Sequence, residues 1–76
     1  MTELLEYLAR SLVDDPGAVR VETFEEDDAI VLVLHVAPGD IGKVIGRQGR
    51  IVRALRTLVR ASSHGSDRRV ILEIAE

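Results

Sequence analysis

The sequence predicts an α+β fold, a three-stranded sheet with three helices packed on one face. Apolar residues recur at helical spacing near the N-terminus and again after residue 50, and they alternate with a period of two in three other stretches. Turn residues separate these stretches, so the order reads helix, strand, strand, short helix, long helix, strand. No internal repeat or linker is visible, and residues 1–76 read as a single domain.

Thr2 is placed to cap a first helix, with Glu3 and Glu6 where the helix dipole favours negative charge. Leu4, Leu5, Leu8, Leu12 and Val13 form its apolar stripe, and Asp14-Asp15-Pro16-Gly17 ends it. Val19, Val21 and Thr23 alternate with Arg20, Glu22 and Phe24 as a strand. Glu25-Glu26-Asp27-Asp28 then reads as a hairpin loop. Ala29 to Val36 is apolar on both faces, which predicts a central strand. Ala37-Pro38-Gly39-Asp40 is a turn with Asp40 as N-cap to a short helix, Ile41 to Ile45. After Gly46-Arg47-Gln48-Gly49 comes the long helix, with Ile51, Val52, Leu55, Leu58, Val59 and Ser62 on one side. Ser63-His64-Gly65-Ser66-Asp67 closes it, and Val70, Leu72 and Ile74 alternate as the last strand.

Composition narrows the function. A chain of 76 residues buries only about 60% of the surface it exposes when unfolded, so a partner chain would help it. Having no cysteine excludes disulfides and zinc-finger chemistry. An apolar content of 46% with 30% charged residues fits a soluble globule. No long apolar span and no basic-then-apolar leader is present, so a cytoplasmic protein without membrane contact is expected.

The net charge of −3 argues against a polyanionic partner only when taken as a total. Residues 1–40 hold ten acids and two bases, a net of −8, while residues 41–76 hold eight bases and three acids, a net of +5. Lys43, Arg47, Arg50, Arg53, Arg56 and Arg60 fall in a stretch without an acid. Such a run is either a solvated helix face or a local positive field, and a field acts within a Debye length of about 8–10 Å.

Glycine at both ends of Gly46-Arg47-Gln48-Gly49 permits a sharp turn between two helices, or a close approach to a ligand. The second helix opens beside this turn, so its unpaired N–H groups and positive dipole end would face a guest there. Arg47 and Gln48 lie at the tip, flanked by Lys43 and Arg50, and an anionic backbone suits that setting.

The stretch Asp40 to Val52 resembles the KH family, whose Ile-Gly-x-x-Gly-x-x-Val/Ile signature is met here by Ile45, Gly46, Gly49 and Val52. Residues 29–75 match the family's minimal β-α-α-β core, and the helix and strand before it resemble the type II arrangement, so the resemblance covers essentially the whole chain. The run Gly42-Lys43-Val44-Ile45-Gly46-Arg47 is similar to the small stand-alone bacterial members. The resemblance implies a single-stranded RNA-binding protein, an RNA chaperone or post-transcriptional regulator connected with cell shape, elongation and division, without a cofactor or small-molecule substrate. It implies a groove between the GxxG loop and the loop between the later strands. Main chain from Gly46 to Gly49 would hold the backbone, with Lys43, Arg47, Gln48, Arg50 and Arg53 as polar partners. Ile41, Val44, Ile45 and Val52 would form an apolar floor for bases, although Ile45 and Val52 are read more readily as core. Tyr7 and Phe24 are too few aromatics for a stacking platform.

The resemblance also implies a homodimer, and a heterodimer with a larger Jag-type protein carrying its own KH domain, through the long helix. Ala54, Leu58 and Ala61, with Arg53, are the candidate patch, and Leu58 is either interface or core. The acidic loop Glu25 to Asp28 would weaken RNA binding if it lay beside the groove, and only aid solubility if remote. An enzyme is not expected. His35 and His64 lack ligand or triad spacing, Ser62 and Ser63 lack a nucleophile elbow, and Gly42-Lys43 is no Walker A motif.

Overall fold

The computed structural model describes residues 2–62 and 68–75. Its elements are helix α1 (Thr2–Leu12), strands β1 (Arg20–Glu25) and β2 (Ala29–His35), helices α2 (Ile41–Ile45) and α3 (Arg50–Ser62), and strand β3 (Arg69–Ile74). Single 3₁₀ turns at Pro16–Ala18, Pro38–Asp40 and Arg47–Gly49 link them. Two of these turns begin at a proline, whose fixed φ suits a first helical position.

The sheet order is β1-β2-β3, with β2 central as its two apolar faces require. β1 pairs antiparallel to β2 through the hairpin, with Val21 opposite Leu34 and Phe24 opposite Val31. β3 pairs parallel to β2, from Ala29 opposite Arg69 to Leu34 opposite Ile74. A parallel neighbour needs a crossover, and α2, the glycine turn and α3 supply it.

The helices cover one face of this sheet. Leu5 and Ala9 of α1, Val44 of α2, and Leu55 and Val59 of α3 close over Leu32, Leu34, Val70 and Leu72. Leu5, Leu32, Leu34 and Val44 are fully buried, each contributing about 1.5–3 kcal/mol through removal from water. The opposite face stays open, and there Glu22 of β1 sits between the Arg20 guanidinium and the His35 ring.

Four sequence expectations change. Thr2 is the first residue of α1 rather than a cap before it, a shift of one position at a helix end. The stripe of α1 centres on Leu5 and Ala9, leaving Leu4 and Leu12 exposed at its margins. In α3 the buried side is Val52, Leu55 and Val59; Leu58 is 44% exposed and Ser62 is exposed, because the sheet covers a narrower arc than the apolar spacing allows. Asp40 stands before α2, yet its carboxylate makes no capping bond there. The segment Ser63 to Asp67, with His64, lies outside the described residues.

Candidate functional site

Gly46 has φ 76° and ψ 173°, a region that only glycine occupies without strain. A Cβ at that position would also lie 2.6 Å from Cγ1 of Ile51, so glycine is required twice over. Gly49, at φ 73°, needs the left-handed conformation but has room, its nearest contact being Val52 Cγ1 at 3.8 Å. Between them Gln48 is itself left-handed, with φ 57° and ψ 25°. The turn closes by the Gly49 N–H donating to the Gly46 carbonyl at 3.1 Å and the Arg50 N–H to the Arg47 carbonyl. The N–H groups of Arg47 and Gln48 open the turn, where helical backbone leaves donors without an internal partner.

Arg53, one turn into α3, reaches back over this loop. Its Nη2 donates to the Gln48 carbonyl at 2.7 Å and its Nε to the Gly49 carbonyl at 3.3 Å. The loop's carbonyls are thereby turned toward Arg53. The first turn of α3 holds Arg50 and Arg53 and no acid, although the dipole there favours negative charge. Arg47 and Arg50 are exposed, and no carboxylate among the described residues pairs with either.

Lys43 is placed differently. Its ammonium lies 3.1 Å from Asp14 and 3.5 Å from Asp40. Asp40 is 3% exposed and accepts the Asp15 N–H at 3.0 Å, tying the segment after α1 to the start of α2. Burial pushes the Asp40 carboxyl up, but the Asp15 and Asp14 N–H groups and Lys43 outweigh it and hold the pKa below its ordinary value. Hydrogen bonding to Asp14, with its negative charge, raises the Lys43 pKa, and Asp40 adds to the shift.

Beside the glycine turn lies a cleft of about 450 Å³, lined by Ile45 and Val52 on the helix side, Glu73 and Ile74 on β3, and Arg56. Arg56 Nε donates to the Leu72 carbonyl at 3.4 Å and straps α3 to the edge strand. Val52, 7% exposed, is thus a buried core residue whose remaining surface reaches the cleft wall, while half-buried Ile45 lines the cleft. Val44 is the reverse: fully buried among core residues, it offers no side-chain surface to a ligand. Ile41 is half-buried at the start of α2, outside the cleft lining. The far wall is β3 itself, an edge strand with unpaired main-chain groups, where the sequence pointed to a loop.

Glu73, Ile74 and the strapping role of Arg56 were not anticipated, because pairing across the α3–β3 boundary leaves no local pattern. Ala54, Leu58 and Ala61 are all exposed on α3. The acidic loop sits at the opposite end of the sheet from the glycine turn, with Glu25 3.1 Å from Arg68 and Asp28 3.5 Å from Arg69. Five residue steps along β3 separate these ends, about 16 Å, beyond the Debye length of about 8 Å. Among the described residues no group of three or more His, Asp or Glu could hold a metal ion, and no helix is long and apolar enough to cross a membrane.

The family model for the KhpA/KhpB KH domain matches residues 2–74. The chain is 53% identical to the RNA-binding protein KhpA of Treponema pallidum, over 97% of this chain and 92% of the relative. It is 50% identical to that of Caldanaerobacter subterraneus and 49% identical to that of Clostridium acetobutylicum, each over 97% of this chain and 99% of the relative. No solved structure matches.

Proposed function

Because this chain belongs to the KhpA/KhpB KH domain family, we propose that it binds single-stranded RNA, gripping the sugar–phosphate backbone at Gly46–Gly49 and laying bases in the cleft against β3. The observation that carries this reading is the charge at the start of α3. Two arginines occupy a helix N-terminus without an acid to answer them, beside a left-handed glycine turn. A phosphate there satisfies the dipole, Arg47 and Arg50 together. Glu73 in the cleft repels phosphate, which favours an orientation with backbone on the glycine side and bases toward the strand edge.

The whole of residues 1–76 acts as one KH domain, with 29–75 as its minimal core, in a cytoplasmic, non-enzymatic RNA chaperone or post-transcriptional regulator. Lys43 contributes to the field only by exchanging Asp14 for phosphate, since its ammonium is already answered. Replacing Arg47 and Gln48 with Asp tests the reading. Crosslinking to single-stranded RNA is expected to fall more than tenfold while the fold is retained; unchanged crosslinking refutes it.

A second reading rests on Leu58, which is 44% exposed beside Ala54 and Ala61. We infer that this strip of α3 forms a homodimer contact, and a contact with a Jag-type KH protein, on a face distinct from the glycine turn. A small domain gains apparent stability by such association.

A further inference from the structure

A second cleft, about 420 Å³, lies between the end of α3 and the start of β3, lined by Arg60, Arg68, Arg69, Val70 and Ile71. It continues the line of the first. Arg56 lines the cleft beside the glycine turn, and Arg60, one helical turn further along α3, lines this one. Two of its arginines are already met by acids of the β1–β2 loop: Arg68 by Glu25 at 3.1 Å and Arg69 by Asp28 at 3.5 Å. Glu25 and Asp28 are 69% and 78% exposed at their side chains, so both pairs are in water and cheap to exchange. The backbone holds the loop in place independently, through the Arg69 N–H bond to the Asp28 carbonyl at 3.0 Å and the Glu26 N–H bond to the Ala29 carbonyl at 2.8 Å.

We propose that this arginine cleft is a second phosphate site on the same RNA path, and that Glu25 and Asp28 act as built-in competitors that an RNA must displace to reach it. The proposal rests on the RNA reading of the glycine turn. Among the described residues that line the concavity, three guanidiniums match phosphate oxygens, whereas two apolar residues leave little to hold a protein segment. The β3 residues that line the two clefts centre about 12 Å apart along the strand, a separation that a longer RNA bridges and one seated only at the glycine turn does not. The acidic loop then selects for length: a short RNA gains nothing by displacing it, and a long one does. The positive run and the acidic loop, opposed in the sequence, become parts of one device.

The test is fluorescence anisotropy with labelled oligouridylates of about four, eight and twelve nucleotides, the shortest matching what a GxxG loop clamps. Arg69→Ala is expected to weaken the twelve-nucleotide strand about threefold to tenfold and leave the four-nucleotide strand unchanged. The double variant Glu25→Gln, Asp28→Asn is expected to tighten the long strand by a similar factor, about threefold to tenfold, with no change for the short one. Both variants alter exposed side chains, and circular dichroism confirms their fold. An equal effect on all lengths reports only overall charge and overturns the proposal, as does no effect on the long strand. Arg47→Asp, Gln48→Asp separates the two readings. If it leaves the four-nucleotide strand bound, the glycine-turn reading fails; if it abolishes that binding while Arg69→Ala is silent at every length, only the second site fails.

Discussion

Arg53 Nη2 donates a 2.7 Å hydrogen bond to the carbonyl of Gln48, a residue five positions earlier that sits in the left-handed region at the tip of the glycine turn. The contact links a cation to the conformation of the loop rather than to a ligand directly. It occupies a loop carbonyl that would otherwise add negative potential beside an anion bound at the turn. Arg53→Ala is therefore expected to change urea stability by less than about 1 kcal/mol, as for other exposed contacts, while RNA affinity falls several-fold. Arg53→Lys keeps the charge but not the two-point contact, and is expected to rescue only part of the loss.

The two glycines differ in what they tolerate. Gly46→Ala meets both the conformational penalty and Ile51, and is expected to cost about 3 kcal/mol or more. Gly49→Ala meets only the left-handed penalty, about 1–2 kcal/mol. Urea unfolding midpoints give the ranking, and equal costs would contradict the close approach of Ile51.

Asp40 and Lys43 set opposite pH limits. The Asp40 pKa lies below its ordinary 3.8 in the folded chain, so its stabilisation is present above that value and is lost as pH falls through the folded pKa. The Lys43 pKa lies above its ordinary 10.5, so its share is present below that value and is lost as pH rises through the folded pKa. Denaturation midpoints between pH 2 and pH 6 are expected to fall less steeply in Asp40→Asn than in the parent chain, as about one carboxylate's linkage is removed.

Leu58→Asp distinguishes a surface leucine from a core one. With 44% of its surface exposed, the variant is expected to stay folded, within about 1 kcal/mol of the parent, and to run as a monomer in sedimentation. Leu55→Asp, at a position 3% exposed, is expected not to fold.

Much of this was legible in the sequence because it is local. The boundaries of α2, the central place of β2 and the glycine turn follow from spacing, proline and glycine over a few residues. What escaped was contact at long separation. Asp40 reads as a helix cap from its neighbours, yet its carboxylate answers Asp15, twenty-five positions away. Val44 and Ile45 are equally apolar, and only the approach of α3 and β3 decides that one is core and the other lines a cleft. The acidic loop carried no sign of its destination, because its partners Arg68 and Arg69 arrive with the parallel strand that ends the fold.

The central claim is that main chain at the glycine turn holds RNA. Amide shift mapping by NMR, titrating a four-nucleotide single-stranded RNA into the parent chain, addresses it residue by residue. The largest shifts are expected at the N–H groups of Arg47, Gln48, Gly49 and Arg50, with smaller ones at Ile45, Glu73 and Ile74. Shifts confined to α1 or to the open face around Phe24 and Val31, with the glycine turn silent, would contradict it.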